Sequence, residues 1–214
     1  MRLDHVSYVA SHDQISDVVQ RIGSQIGTAF VDGGIHPQFG TRNFTAPLLN
    51  GQYIEVVCAL DHPAAENTPF GQAVTKKAGE GGGWLTWVFS TDDIDPIEKA
   101  IGRPAIEGHR RLPDGTVLKW KQVGVKELLS ESNLPFFIEW EDGLHPSEVG
   151  SPRASITEIT FANYDPLNKS SFRKEVDSAL ERNNIALNFV ASEQDTFGIL
   201  SIKFATNVGA ITID

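Results

Sequence analysis

The sequence of 214 residues holds one cysteine, no excess of basic residues and no long hydrophobic run. The lone thiol, Cys58, cannot form an internal disulfide, and its apolar surroundings are typical of a buried thiol in a reducing compartment. Asp and Glu outnumber Lys and Arg by 28 to 18, and the net charge of −10 disfavours a polyanionic partner such as nucleic acid. No apolar run approaches membrane-spanning length, and no basic, apolar leader precedes the first strand pattern. We therefore predict a cytoplasmic protein that binds neither nucleic acid nor membranes.

A histidine stands inside the first apolar run, residues 3–10. Because side chains alternate across a strand, His5 faces either the core or a cleft. A second apolar run, residues 51–58, carries Glu55, whose burial without a partner would be expensive. A neutral imidazole and a carboxylate can both bind a metal. His5 and Glu55 are therefore the first candidates for a site, and the alternative is that both are hydrogen-bonded residues of a core or a metal-free pocket.

The periodicity of the chain predicts two units with the same order of elements, β-α-β-β-β. The first covers about residues 1–60, with a turn at 32–34 and a connecting segment at 36–43 that is rich in polar side chains. An Asn50-Gly51 turn joins its last two strands. After a connection with one short helix, the same order returns over about residues 83–142.

The last strand of each unit carries a glutamate in a similar local pattern, Ile54-Glu55-Val56 and Ile138-Glu139-Trp140. Glu55 follows His5 by 50 residues, and Glu139 follows Trp87 by 52. This near-repeat predicts that Glu139 is the equivalent of Glu55 and that Trp87 stands where His5 stands.

A polar, proline-bearing segment at residues 145–152 predicts a boundary. Residues 1–150 would then form a two-module domain, and residues 151–214 a C-terminal half-module that is again β-α-β-β-β-like. The last strand of this third unit, Ile211-Thr212-Ile213, offers no carboxylate.

These paired units resemble the glyoxalase/bleomycin-resistance/dihydroxybiphenyl-dioxygenase family, the vicinal oxygen chelate superfamily. The motifs that look like its glyoxalase-like subgroup are Leu3-Asp4-His5-Val6, Gly33-Gly34 with His36-Pro37, Gly40-Thr41-Arg42-Asn43, Tyr53-Ile54-Glu55, Leu134-Pro135-Phe136-Phe137-Ile138 and His145-Pro146-Ser147. The resemblance implies an α+β fold, in which paired βαβββ modules form a cupped, mixed or mostly antiparallel sheet around one ligand site.

Metal-dependent members of that family place ligands on the first and last strands of each module. Carried over by position, the resemblance implies His5, Glu55 and Glu139 as metal ligands. Trp87 takes the fourth place, where an indole cannot ligate a cation. One histidine and two carboxylates could hold zinc, manganese, iron or magnesium with waters completing the shell, and the alternative is no metal. A bound metal would polarise vicinal oxygens while Glu55 or Glu139 moves a proton.

Other side chains are candidates for contact with an organic ligand. They are His36, Arg42, Asn43, Trp87, Trp120 and His145. Arg42 could clamp a carboxylate, although Arg42 and Asn43 could equally bind the backbone of their own segment. The two tryptophans either pack in the core or form a stacking wall. The cluster His109-Arg110-Arg111 is predicted to be a solvated strand edge.

We therefore expect a glyoxalase-like protein that binds a small molecule, with three functions left open. The first is a divalent-metal-assisted lyase, isomerase or dioxygenase acting on a vicinal-oxygen substrate, which requires His5 and Glu55 to converge. The second is a metal-free binding or sequestration protein for an aromatic or drug-like ligand, with Trp87, Trp120 and Phe137 as an aromatic slot. The third is a non-catalytic oligomeric module, in which the open final strands favour a homodimer.

Overall fold

The computed structural model describes residues 1–130, 134–141, 143, 145–168, 170–191 and 198–214. The strands within these residues are β1 (Arg2–Val9), β2 (Val31–His36), β3 (Thr41–Pro47), β4 (Tyr53–Ala59), β5 (Gly83–Ser90), β6 (Ile106–Arg111), β7 (Val117–Val123), β8 (Phe136–Trp140), β9 (Ala154–Ala162), β10 (Ala186–Val190), β11 (Ile199–Thr206) and β12 (Gly209–Ile213). The α-helices are α1 (Ile15–Ile26), α2 (Pro63–Asn67), α3 (Pro69–Gly79), α4 (Asp95–Ile101) and α5 (Arg173–Glu181). None of the helices that the structure describes is long and apolar enough to cross a membrane.

The first eight strands close into a barrel with the order β1-β4-β3-β2-β6-β7-β8-β5. Each half of this order is one β-α-β-β-β module. The modules meet at both edges, because β1 pairs antiparallel with β5 and β2 pairs with β6. Closure of the barrel removes the unpaired edge strands that each module would have by itself. The predicted α+β fold of paired βαβββ modules is confirmed.

Local sequence signals explain several of these elements. Helix α1 buries Ile15, Ile22 and Ile26 at helical spacing, and it ends at Gly27 with a φ of 68°. Asn50 and Gly51 adopt φ values of 65° and 70° in the turn between β3 and β4. Positive φ at two successive residues is the requirement that the Asn-Gly pair meets, as the sequence predicts.

The structure corrects two local predictions in the first module. Residues 32–34, predicted as a turn, lie within β2. The predicted connecting segment 36–43 shortens to residues 37–40, because His36 ends β2 and Thr41 begins β3. The pairing of β2 with β3 shifts register between Asp32 and Gly34. Such a bulge accommodates glycines inside a strand, so glycine here does not end the strand.

A second sheet, with the order β10-β9-β11-β12, covers the outside of the barrel. Trp87 of the barrel packs against Phe161 of this sheet with ring centroids 5.1 Å apart, and both side chains are fully buried in one continuous core. In both barrel modules the first strand pairs with the last strand of its module, β1 with β4 and β5 with β8. The C-terminal unit differs, because its first strand, β9, pairs with β10 and β11 and not with its last strand, β12. The division at residue 150 stays a prediction, and the predicted end of the second module, Asp142, lies outside the described residues.

Candidate functional site

A cavity of about 390 Å³, including its mouth, lies inside the barrel. Its polar lining residues are His5, His36, Asn43, Tyr53, Glu55, Arg110 and Gln122. Its apolar wall consists of Phe39, Phe70, Trp120, Phe136, Ile138 and Trp140.

The orientation of His5 is fixed by its neighbour Asp4. The His5 Nδ1 lies 2.7 Å from Asp4 Oδ1, and the Asp4 carboxylate is fully buried. Burial alone would raise the pKa of Asp4, but the hydrogen bonds from His145 and His5 hold that pKa well below its usual range. An ionised carboxylate can only accept, so Nδ1 carries the imidazole proton and Nε2 is left as the basic nitrogen.

Asp4 accepts two further hydrogen bonds. Trp140 Nε1 donates to Oδ2 at 3.2 Å, and His145 Nε2 lies 3.1 Å from the same oxygen. His145 Nδ1 accepts the backbone N–H of Ser147 at 3.2 Å, so the His145 proton is on Nε2 and is donated to Asp4. His145 therefore acts on the cavity through Asp4 and not by direct contact with the cavity.

Glu55 is held as a buried anion. Ser7 Oγ donates to Oε2 at 2.6 Å, Asn43 Nδ2 donates to Oε1 at 2.7 Å, and Glu55 is only 5% exposed. Burial alone would raise the pKa of Glu55, but the nearby imidazoles of His5 and His36, with these two hydrogen bonds, lower it. Glu55 is therefore ionised at neutral pH.

His36 and Tyr53 flank this pair. The His36 Nδ1 lies 2.8 Å from Thr41 Oγ1, and burial lowers the pKa of His36 to about 4, although the Glu55 carboxylate opposes the shift. His36 is therefore neutral at neutral pH. The Tyr53 ring stacks on His5 with centroids 4.4 Å apart.

Two strands of the second module add buried donors. Arg110 is 3% exposed, and its Nη1 donates to Asn43 Oδ1 at 3.2 Å, so Asn43 bridges Arg110 and Glu55. Trp120 Nε1 donates to Gln122 Oε1 at 2.7 Å. Arg110 Nε and Gln122 Nε2 are buried nitrogens without a described partner.

The structure brings only some of the predicted site residues together. Those that line the cavity are His5, His36, Asn43, Glu55 and Trp120. Arg42 lies instead on the outer face of β3, with Nη2 2.5 Å from Asp32 Oδ2 and the guanidinium over the ring of Phe44, and it is not among the residues that line the cavity. The prediction for Arg42 assumed a loop, whereas strand alternation turns Asn43 inward and Arg42 outward.

Glu139 and Trp87 are also placed outside the cavity. The Ile94 N–H donates to Glu139 Oε2 at 2.8 Å, and Lys121 Nζ lies 3.4 Å from Oε1. Trp87 is fully buried in the core between the barrel and the second sheet. Glu139 therefore does not join His5 and Glu55, and Trp87 does not take the place of His5.

Strand pairing gives the correct equivalence of the two modules. His5 pairs with Tyr53 in module one as Val88 pairs with Phe136 in module two. Glu55 lies two residues after Tyr53, and Ile138 lies two residues after Phe136. Glu55 is thus 50 residues after His5, and Ile138 is 50 residues after Val88. The sequence alignment of the modules was thus out of register by one residue, and such a slip moves each side chain to the other face of the sheet.

The donor set does not fit the metal site that the family resemblance implies. Of the four equivalent positions, two carry His5 and Glu55, and the other two carry the aliphatic residues Val88 and Ile138. No group of three or more His, Cys, Asp or Glu side chains within the described part of the chain is arranged to hold a metal ion. Structural and catalytic sites for transition metals usually use three or four protein ligands.

Several site residues escaped prediction, namely Asp4, Tyr53, Arg110 and Gln122. For Arg110 the structure supplies a signal that the sequence alone does not. Gly108 lies opposite Trp120 in the β6–β7 hairpin, and a Cβ at Gly108 would lie 2.5 Å from the Trp120 ring. This contact marks the inward face of β6, and Arg110, two residues later, shares that face.

The chain matches the model of the glyoxalase-like domain family over residues 3–175 and belongs to that family, within the vicinal oxygen chelate superfamily. No match was found among curated proteins.

Solved structures are similar at low identity. A hypothetical protein from Staphylococcus aureus is 16% identical with a TM-score of 0.60, over 96% of this chain and 90% of that chain. A methylmalonyl-CoA epimerase from Mycobacterium tuberculosis is 15% identical with a TM-score of 0.47, over 66% of this chain and 89% of that chain. The Staphylococcus aureus structure supports the fold along nearly the whole chain.

Proposed function

We propose that the protein is an enzyme that binds a small, oxygen-bearing molecule in the barrel cavity and transfers a proton with His5, whose positive charge the Glu55 carboxylate stabilises. The observation that carries this proposal is the fixed pair itself. His5 has its Nδ1 proton held by Asp4, and Glu55 is an ionised, buried carboxylate held by Ser7 and Asn43. Orientation of a histidine by a buried aspartate is a recurring arrangement for general bases.

In this mechanism Nε2 of His5 accepts a proton from an acidic C–H beside a carbonyl, and the bonding electron pair moves to the carbonyl oxygen. The imidazolium lies near two carboxylates, Asp4 and Glu55, and both stabilise its charge. Buried N–H donors of Arg110 and Gln122 would meet the negative charge on the ligand. Return of the proton to another atom is an isomerisation, and loss of a leaving group is a lyase reaction.

A deuterium-exchange assay tests the proposal. Small oxo acids, oxo amides and diketones are incubated with the protein in D₂O, and loss of C–H signal is followed by ¹H NMR. We expect at least one compound to exchange, and His5→Gln to slow that exchange by about 10²- to 10⁴-fold, the usual contribution of a general base. Glu55→Gln should also slow it, since the imidazolium loses a counter-charge.

Glu139→Gln is the matched control, because it makes the same substitution at a glutamate outside the cavity. Its exchange rate should equal that of the wild type. Exchange that survives in His5→Gln, or no exchange of any compound in the panel, would count against the proposal.

A metal-free binding protein is the second candidate, supported by the aromatic wall of the cavity and by the aliphatic residues Val88 and Ile138 in module two. In that case ligands bind without exchange, and Trp120→Ala weakens binding while His5→Gln leaves it nearly unchanged. Of the predicted aromatic slot, Trp120 faces the cavity, whereas Phe137 packs against Phe172.

We retain two further proposals from the sequence. The edge strands β10 and β12 of the second sheet make a homodimer a reasonable expectation, and light scattering of the purified protein tests it. Cell fractionation tests the cytoplasmic location.

A further inference from the structure

We infer that Arg110 is the anchor for a carboxylate group and that Gln122 donates to a second oxygen of the same ligand, so that the cavity takes a small monocarboxylic acid bearing a carbonyl or hydroxyl oxygen. This inference rests on the proposed function only for the chemistry at His5. Binding of the carboxylate can be measured whether or not a reaction occurs.

Arg110 is a buried cation whose hydrogen-bonding capacity is only partly used. It forms no ion pair with a described carboxylate, and its Nη1 is committed to Asn43 Oδ1 at 3.2 Å. The Nε atom is buried and has no partner among the described residues. The guanidinium edge formed by Nε and Nη2 is therefore available, and this edge can bind a carboxylate through two parallel hydrogen bonds. A buried cation without a directly paired anion is costly, and a bound carboxylate lowers that cost.

Gly33 leaves the space that the side chains of Arg110 and Asn43 occupy. A Cβ at Gly33 would lie 2.1 Å from Asn43 Oδ1 and 2.8 Å from Arg110 Nη1. Any larger residue at position 33 would displace the two side chains. Gly33 therefore permits the arrangement in which Asn43 holds one end of the guanidinium and leaves the other end free.

Gln122 has a fixed orientation. Its Oε1 accepts the Trp120 Nε1 proton at 2.7 Å, so the amide nitrogen must point away from the indole. That nitrogen is buried without a described partner, and Gln122 is 4% exposed. An NH₂ group can donate but not accept, so it selects a ligand oxygen.

The charges around the cavity disfavour a ligand with two negative charges. Glu55 lies at the cavity, and Asp4 lies directly behind His5; both are ionised. Arg110 is the one Lys or Arg side chain among the described residues that line the cavity, so a dianionic phosphate would be repelled by the two carboxylates more strongly than a monoanion that pairs directly with Arg110. A monocarboxylate therefore suits the site better than a phosphate dianion does. Its apolar part would lie against Phe39 and Trp120 on the wall.

Calorimetric titration of the full chain tests the inference with matched ligand pairs. The probes are pyruvate, lactate, phenylpyruvate and mandelate, each beside its primary amide, together with inorganic phosphate and phenyl phosphate. We expect at least one carboxylate to bind the wild type about 10- to 100-fold more tightly than its amide, as a charge-assisted pair of hydrogen bonds implies. Equal affinity for all four pairs, or tighter binding of phosphates, would overturn it.

Variants at Arg110 test whether this side chain causes the preference for a carboxylate over its amide. Arg110→Met should remove the preference of the wild type for the carboxylate over the amide, whereas Arg111→Met, an exposed arginine one residue away, should retain it. Arg110→Lys preserves the charge, so it keeps part of the preference and serves if the methionine variant does not fold. Carboxylate selectivity that persists in Arg110→Met would refute the anchor.

Gln122→Glu is the sharper test, because the new side chain retains an acceptor for Trp120 and replaces a donor by an anion. It should weaken carboxylate binding by at least tenfold while the amides, which can donate, lose less. The exposed Gln20→Glu adds the same charge on α1 and should change nothing. Unchanged carboxylate affinity in Gln122→Glu would remove Gln122 from the subsite.

The two proposals fail in different ways. Carboxylate binding that depends on Arg110, without deuterium exchange that depends on His5, would refute the proposed reaction and leave the subsite standing. Exchange of neutral diketones that depends on His5, with no preference for carboxylates, would refute the subsite and leave the reaction standing.

Discussion

The buried His36 should make the stability of the barrel depend on pH between 5 and 7. His36 is 4% exposed, and burial lowers its pKa from 6.5 in the unfolded chain to about 4 in the folded protein. The unfolded chain therefore binds a proton as the pH falls below 6.5, while the folded protein does not. Stability from this group is complete above pH 6.5 and is lost as the pH falls towards 4.

The two pKa values set the size of the effect. Their separation corresponds to about 3 kcal/mol of the free energy of unfolding, of which about 2 kcal/mol is lost between pH 7 and pH 5. We limit the pH range of the measurement to 5 and above. The pKa values of Asp4 and Glu55 are held below their usual range, so these two carboxyl groups stay ionised over that range.

Urea unfolding of the wild type and His36→Gln at pH 7, 6 and 5, followed by circular dichroism, measures this contribution. The variant loses the hydrogen bond to Thr41, so we expect it to be less stable than the wild type at pH 7. Between pH 7 and pH 5 the free energy of unfolding of the wild type should fall by about 2 kcal/mol relative to that of the variant. His12→Gln removes an exposed histidine and should show the same pH dependence as the wild type. A difference between wild type and His36→Gln that stays constant within about 0.5 kcal/mol would refute the reasoning.

Three further substitutions test the packing around the site. Asp4→Asn removes an acceptor from buried donors, and we expect a loss of about 3 kcal/mol and a melting temperature lower by about 6–12 °C, with a changed tautomer of His5 in ¹⁵N NMR. Gly108→Ala places a Cβ 2.5 Å from the Trp120 ring, so unfolding titrations should show a loss of about 1–3 kcal/mol together with weaker ligand binding. Trp87→Ala should cost about 3–5 kcal/mol but leave the ligand affinity of the folded protein unchanged, and a large affinity loss would contradict its place outside the cavity.

The fold could be predicted because its signals are local. Alternating apolar residues, the Asn50-Gly51 turn and the helical spacing of α1 each specify one element, and the order of elements specifies the module. The misplaced β2 shows the limit of such signals. Glycines at 33 and 34 predict a turn on propensity, but here they leave room for Asn43, Arg110 and the backbone of Arg111. That requirement comes from other strands and is invisible in the local sequence.

The site was predictable only where it depends on one strand at a time. His5 and Glu55 each stand out within an apolar run, and both line the cavity. Arg110 needed knowledge of which face of β6 is inward, which follows from its pairing with β7. Glu139 and Trp87 were misplaced by one register step, because similar tripeptides around Glu55 and Glu139 suggested an alignment that strand pairing does not have.

The corrected alignment bears on the stereochemistry of the proposed reaction. Every histidine and carboxylate that lines the cavity among the described residues, namely His5, His36 and Glu55, comes from the first module. The equivalents of His5 and Glu55 in the second module are Val88 and Ile138, which can neither accept nor return a proton. A ligand anchored by Arg110 would therefore meet its base on one side only, and a proton removed from one face would return to that same face. A two-base inversion needs a proton donor on the opposite face, so the arrangement favours isomerisation or elimination at one face over epimerisation.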